Sequence, residues 1–97
     1  MHYEPPTPED LERLKFELGK SSGGMADLFG VTTGRQWRRY LSDNENNKRE
    51  VSAHMLFFAM ARLELSAEAI ERILARMRQA GATIDLESAG ERESSQD

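Results

Sequence analysis

Helix-start signals recur along this chain and constrain its fold more than any other feature of the sequence. A Ser or Thr suited to cap a helix precedes each of five segments in which apolar residues stand three and four positions apart. The clearest start is 7–10 (TPED), with Pro at the first helical position and acids at the positive end of the helix dipole. No segment alternates with the period of a strand. The pattern predicts an all-α five-helix bundle, with helices at 8–18, 23–29, 33–41, 53–63 and 67–79.

The same spacing indicates which side chains are buried. In the first helix the stripe consists of Leu11, Leu14 and Leu18, while Phe16 lies off it and is expected against the N-terminal lead or a later helix. The fourth helix is apolar on almost every side, which predicts a position at the centre of the bundle. The later caps are assigned to Ser22, to Thr32 or Thr33, to Ser52 and to Ser66.

The composition excludes several classes of protein. The 97 residues contain no cysteine, which excludes disulfides and thiolate chemistry. With only two histidines, the chain also has few ligands for a transition metal. A Gly-rich phosphate loop and an HExxH motif are both absent, which argues against an enzyme. The longest apolar run, 55–61, is too short to span a bilayer. We expect no secretion signal, because no basic region followed by an apolar one opens the chain. We expect a non-enzymatic cytosolic protein with no cofactor, metal or small-molecule substrate.

The two ends of the chain differ in composition from its middle. Residues 1–7 include paired prolines, which disfavour helix, and the chain from Ser88 onward has almost no apolar side chain. The sequence therefore predicts a flexible lead at 1–7, one folded domain at 8–81 and a disordered acidic tail at 82–97.

Charge is distributed unevenly along a chain whose formal net charge is −4. Residues 31–49 contain five Lys or Arg against two acids, whereas the segments before and after them are net negative. Because exposed charges act within a Debye length of about 8 Å, a polyanion responds to this local excess rather than to the total. The charge pattern permits binding to nucleic acid through 31–49 without requiring it.

The third predicted helix separates apolar from basic side chains. At 100° per residue Trp37, Tyr40 and Leu41 share one face, and three arginines repeat the same spacing on nearly the opposite face. For Trp37 we favour packing in the core over stacking on a nucleic-acid base. The arginine face is either an ordinary solvated surface or a surface that enters the DNA major groove. The candidates for DNA contact are Arg35, Arg38, Arg39, Gln36, Thr32, Thr33, Ser22, Lys48 and Arg49.

Two stretches resemble a known superfamily. The segment 22–32 (SGGMADLFGVT) resembles the helix-turn-helix signature of the Cro/phage-repressor-like superfamily, with the small Ala26 at the helix crossing and Gly30 in the turn. The string 37–42 (WRRYLS) is similar to small phage and mobile-element regulators, including anti-CRISPR-associated repressors. The resemblance covers roughly residues 8–80. It implies a homodimeric transcriptional repressor that binds an inverted repeat in double-stranded DNA. It also implies that the protein acts in the cytoplasm of a bacterial or phage-infected cell.

The resemblance departs from the family pattern by one residue. Counted from Ala26, the buried positions of the DNA-reading helix fall on the polar Gln36 and Arg39 rather than on Trp37 and Tyr40. A turn one residue longer than usual, helped by Thr33 and Gly34, restores the register. The aromatic face, rather than the family's numbering, therefore decides which side chains are expected to face DNA.

The fifth predicted helix carries an apolar stripe with two possible uses. The stripe packs entirely on helices 1 and 4, or part of it faces a second copy of the chain. Since one short helix reads few base pairs, helix-turn-helix proteins usually act as dimers. The predicted dimer interface consists of Ile70, Ile73, Leu74 and Met77.

A second function is compatible with the same fold. An acidic helical domain without DNA binding could serve as a protein-interaction module, for example an inhibitor or modulator of a nuclease or polymerase. Salt-insensitive association with a protein would distinguish this alternative from DNA binding.

Overall fold

The computed structural model describes residues 1–42 and 49–86, and within them the chain forms five α-helices and no strand. The helices are α1 (Pro8–Leu18), α2 (Ser22–Phe29), α3 (Gly34–Arg39), α4 (Ala53–Glu64) and α5 (Ala67–Gln79). The prediction of an all-helical fold is confirmed, and α1 and α5 have the predicted bounds. None of these helices is long and apolar enough to cross a membrane. Lys48 and the part of the predicted tail at 87–97 lie outside the described residues.

Hydroxyl caps begin all five described helices. The cap residues are Thr7, Ser21, Thr33, Ser52 and Ser66, and each accepts a hydrogen bond from the backbone N–H three residues later. The predicted cap of α2, Ser22, is wrong by one position. Ser21 has the extended backbone of a cap (φ −78°, ψ 172°), which directs its Oγ to the N–H of Gly24, so Ser22 becomes the first helical residue.

The start of α1 is closed by two reciprocal hydrogen bonds. Thr7 Oγ1 accepts from the N–H of Asp10 at 3.1 Å, and Asp10 Oδ2 accepts from the N–H of Thr7 at 3.0 Å. The backbone bond from Thr7, followed by the side-chain bond from Arg13, lowers the pKa of Asp10. The ionised cap therefore stabilises α1 above the ordinary pKa of Asp, and this contribution is lost as the pH falls through the lowered value.

The third helix is shorter than predicted. It ends at Arg39 because the next two N–H groups, those of Tyr40 and Leu41, donate to carbonyls only three residues back, at 3.0 and 3.1 Å. This pattern tightens the chain into a 3₁₀-type turn. Tyr40 and Leu41 are partly buried and still pack against the core.

The core lies where α2, α3 and α4 meet. Its largest fully buried side chains are Trp37, Met25 and Val51. From α1 it receives the buried Leu11, while Leu14 and Leu18, predicted to be buried, are only partly so. The second and third helices share the most extensive contact in the fold, so the core is centred on the segment predicted to carry the function.

The fourth helix is not the central helix that its apolar sequence predicts. It packs on α2 and, less extensively, on α5, and Ala59 is its buried residue. Phe57 on the same helix is 77 % exposed. The expected packing of Phe16 on α1 is also wrong, since that ring is 85 % exposed. The apolar composition of a helix therefore does not show how much of its surface is buried by neighbouring helices.

Arg62 on α4 caps the end of α2. Its Nη1 donates to the backbone carbonyls of Asp27 and Leu28, the latter at 3.2 Å, and its Nη2 lies 3.5 Å from the Asp27 carboxylate. The guanidinium carbon also lies 5.4 Å from the centroid of the Phe58 ring. Terminal carbonyls of a helix lack intrahelical donors, so this side chain fastens α4 to α2.

Replacing Arg62 by Met is expected to lower the free energy of unfolding by about 1–3 kcal/mol, because two carbonyls lose a charged donor. Urea unfolding followed by circular dichroism measures the change. Arg38→Met on the exposed face of α3 is the control, since that arginine forms no ion pair with another described residue. Equal unfolding midpoints for the two variants would contradict the capping role.

A hydrogen bond links the N-terminal lead to the residue before the cap of α4. Tyr3 is partly buried, and its hydroxyl donates to the carbonyl of Val51, just before α4. Burial, followed by the Glu50 carboxylate, raises the pKa of Tyr3. The lead at 1–7 is thus tied to the domain at this point.

Removing the Tyr3 hydroxyl in Tyr3→Phe is expected to lower the free energy of unfolding by about 0.5–1.5 kcal/mol at neutral pH. Because the pKa of Tyr3 is higher in the folded than in the unfolded chain, its hydrogen bond contributes fully to stability below about pH 10. This contribution is lost as the pH rises through the pKa of Tyr3 in the folded chain. The difference in unfolding midpoint between wild type and Tyr3→Phe should therefore shrink between about pH 9 and 11. A difference independent of pH would argue against the hydrogen bond.

Candidate nucleic-acid interface

A short connection, residues 30–33, holds α3 against α2. Gly30 adopts the left-handed φ of 74° that ends α2, and the N–H of Val31 donates to the carbonyl of the fully buried Ala26 at 2.8 Å. The connection turns Trp37 toward the core and leaves Gln36 exposed. This is the register that the aromatic face predicts.

Gly34 allows the first turns of α2 and α3 to touch. A Cβ at this position would lie 3.1 Å from the backbone nitrogen of Gly23 and 3.3 Å from the carbonyl carbon of Ser22. Those neighbours are backbone atoms, so a Cβ here would fit only if the two backbones moved apart by a few tenths of an ångström. Sequence reasoning assigned Gly34 only to a longer turn, because nothing local shows that another helix approaches it.

The inner face of α3 is anchored by aromatic packing. The Trp37 ring lies 4.8 Å from the Phe29 ring and 6.0 Å from the Tyr40 ring, between centroids. Trp37 is completely buried, which confirms that it is a core residue and not a stacking platform for bases. Its Nε1 has no hydrogen-bond partner among the described residues.

The outer face of α3 is cationic. Its exposed side chains are those of Arg35, Gln36, Arg38 and Arg39. Within the described residues none of these guanidinium groups forms a salt bridge, whereas Arg13, Arg62 and Arg78 each pair with a carboxylate. With no acid on the same helix, the face presents three separate cations to solvent.

Arg49, the first described residue after 42, lies beside this face. Its backbone N–H donates to the carbonyl of Arg39 at 3.3 Å, at the end of α3. A depression of ≈ 110 Å³ is lined by these two arginines together with Val31, Gln36 and Tyr40. The structure thus brings a predicted loop residue beside two predicted residues of α3.

The other predicted contact residues occupy the start of the two helices. Thr33 caps α3, with its Oγ1 accepting from the N–H of Gln36 at 3.1 Å, and Thr32 is exposed in the connection. Ser22 is half-buried in the first turn of α2 and faces Gly34. These three hydroxyl residues border one end of the cationic face.

The chemistry of this surface is that of anion and base-edge recognition. Guanidinium groups bind phosphate oxygens or the O6 and N7 atoms of guanine in a bidentate manner, and a Gln amide matches the N6 and N7 atoms of adenine. Across the described residues, no group of three His or acidic side chains is placed to hold a metal ion. Comparison with protein-family models, curated proteins and solved structures found no match to this chain.

Proposed function

We propose that this protein binds double-stranded DNA and acts as a transcriptional repressor, with α2 and α3 as a helix-turn-helix unit and α3 in the major groove. The supporting observation is the division of α3 between the buried Trp37 and an outward face of three arginines and Gln36. A helix fixed to the core on one side can present rigid donors on the other, which base recognition needs.

The roles of the side chains follow from their positions. Arg35, Arg38, Arg39 and Gln36 would reach base edges and the flanking phosphates from the exposed face of α3. Arg49, held beside the end of α3, suits a phosphate contact that positions the protein on the duplex. Ser22, Thr32 and Thr33 would donate hydroxyl hydrogens to phosphates at the other end.

The short length of α3 favours binding as a homodimer. Its 6 residues span about 9 Å, the axial length of roughly three base pairs. Two copies related by a two-fold axis would read half-sites about 34 Å apart, one turn of DNA, in an inverted repeat. Occupation of such a repeat within a promoter would exclude polymerase.

Titration of DNA from upstream of its own gene, followed by fluorescence anisotropy at several salt concentrations, tests the proposal. Binding should be tighter than to a shuffled duplex, and it should weaken steeply with salt because phosphate contacts release counterions. Equal, weak binding to both duplexes would sink the repressor proposal. Salt-insensitive capture of a nuclease or polymerase, with no retention on DNA, would instead support the protein-interaction module.

A further inference from the structure

The chain turns back along α5 after that helix ends. Gly81 adopts a left-handed φ of 109°. Arg78 holds the returning segment, because its Nη2 donates to the carbonyl of Ile84 at 3.1 Å while its Nη1 lies 3.1 Å from the Glu71 carboxylate. These contacts fix the path of the chain as far as the last described residues.

The last described residue lies close to a side chain that is bound to α2. Leu86 lines a depression together with Arg62, and Arg62 donates to the backbone carbonyls of Asp27 and Leu28 at the end of α2. From that end the chain continues through residues 30–33 into α3. The segment that follows Leu86 therefore starts on the side of the domain where α2 ends.

This segment, residues 87–97, is acidic. It contains four acids against one arginine, a net charge of −3. The acids are Glu87, Glu91, Glu93 and Asp97. Fully extended, a segment of this length spans up to about 36 Å, and the longest dimension of the protein is 40 Å. The segment is long enough to reach α3 from the end of α2.

The cationic face of α3 matches this segment in sign and in number of charges. Its guanidinium groups are those of Arg35, Arg38 and Arg39, with that of Arg49 beside them. None of the four forms a salt bridge within the described residues, and no acid lies on α3. The helix α5 also carries arginines, but Glu68 and Glu71 on the same helix offset their charge. The cationic face is therefore the surface to which an acidic segment is attracted most strongly.

We propose that the acidic segment 87–97 docks on the cationic face of α3 in the same chain and competes with DNA for it. A short tether gives the segment an effective concentration on the order of millimolar, so several weak surface ion pairs are enough to populate the docked state at low salt. DNA carries a denser negative charge and displaces the segment. The effect on DNA rests on the proposed function, whereas the docking itself does not.

A spin label tests the docking without DNA. The chain has no cysteine, so Gln96→Cys provides a single site for a nitroxide on the full chain. At low salt the label should broaden the backbone amide NMR signals of α3 more than those of α1 and α5. The selective broadening should disappear in about 0.5 M salt, where exposed charges are screened. Broadening that is absent, is strongest on α5 or persists in high salt would overturn the inference.

A mixing experiment separates docking within one chain from docking on a second copy. Spin-labelled chains without isotope enrichment are mixed with enriched chains that carry no label. The mixture should show no selective broadening of α3, because each segment occupies the cationic face of its own chain. Broadening as strong as in the singly labelled sample would contradict docking within the chain.

Neutralising the acids tests the competition with DNA. The full chain with Glu87→Gln, Glu91→Gln, Glu93→Gln and Asp97→Asn should bind the cognate and the shuffled duplex about 10-fold more tightly at low salt. Both duplexes should gain by the same factor, because the segment must leave α3 before either one binds. Fluorescence anisotropy measures both affinities.

A charge-matched variant is the control for this experiment. It replaces by glutamine four exposed acids outside the segment, namely Glu9, Glu12, Glu17 and Glu64. Equal gains in affinity for the two variants would assign the effect to net charge and overturn the competition. If neither the wild type nor the variants bind DNA, the proposed function fails, and the spin-label experiment still decides whether the segment docks on α3.

Discussion

Replacing Arg35, Arg38 and Arg39 together by alanine is expected to lower the affinity for the cognate DNA by about 1000-fold. The three guanidinium groups are exposed on one face of α3 and form no ion pair within the described residues, so their full charge is available to DNA. A good bidentate pair with a base contributes about 1–3 kcal/mol, and three such contacts account for the loss. The dependence of affinity on salt should also become shallower, by roughly one unit of slope for each phosphate contact removed.

A charge-matched control separates this effect from the overall charge of the chain. Alanine at Arg13, Lys15 and Lys20, in and just after α1, removes the same number of positive charges from a different part of the surface. Anisotropy titrations at fixed salt compare the two triple variants with wild type. If both variants lose affinity equally, binding depends on net charge and the assignment of α3 as the reading helix is wrong.

Replacing Trp37 by alanine is expected to lower the free energy of unfolding by about 3–5 kcal/mol. Its side chain is completely buried, and it contacts the rings of both Phe29 and Tyr40. The loss is a large part of the roughly 5–15 kcal/mol that stabilises a typical domain. Because this ring fastens α3 to α2, DNA binding should be lost together with the fold.

Urea unfolding followed by circular dichroism at 222 nm measures the effect without relying on tryptophan emission. Trp37→Phe should cost less, since it keeps an aromatic ring against Phe29 and removes an Nε1–H that has no partner among the described residues. Phe16→Ala is the control, because truncation of a ring that is 85 % exposed should change stability by less than about 0.5 kcal/mol. A Trp37→Ala variant as stable as this control would refute the central place of Trp37 in the core.

Helix positions were predictable because their signals are local. A capping hydroxyl acts on the N–H group three residues later, and a glycine acts just after the last turn of its helix. Because both signals act within one turn of the chain, the first and last residues of α1 and α5 were predicted correctly. The cap of α2 was predicted wrongly because Ser21 and Ser22 are adjacent and the hydroxyl of either could cap the helix. The division of α3 into a buried aromatic face and an exposed arginine face likewise follows from 100° spacing.

Contacts between distant segments were not predictable from these signals. The approach of Gly34 to the first turn of α2, the placement of Arg49 beside Arg39 and the capping of α2 by Arg62 each join residues that no local pattern links. The exposure of Phe57 belongs to the same class. An apolar side chain is compatible with a core or with an uncovered surface, and only the arrangement of its neighbours distinguishes the two.

The sequence by itself therefore determined five helices, the caps of α1, α4 and α5 and the two faces of α3, because hydrogen bonding within a turn and the helical period depend on neighbours along the chain. Only the tertiary structure decided which apolar faces are covered, where α2 and α3 touch and which loop residue joins the arginine face. Those outcomes depend on how whole helices pack, since burial is a property of the surfaces that meet and not of either sequence alone.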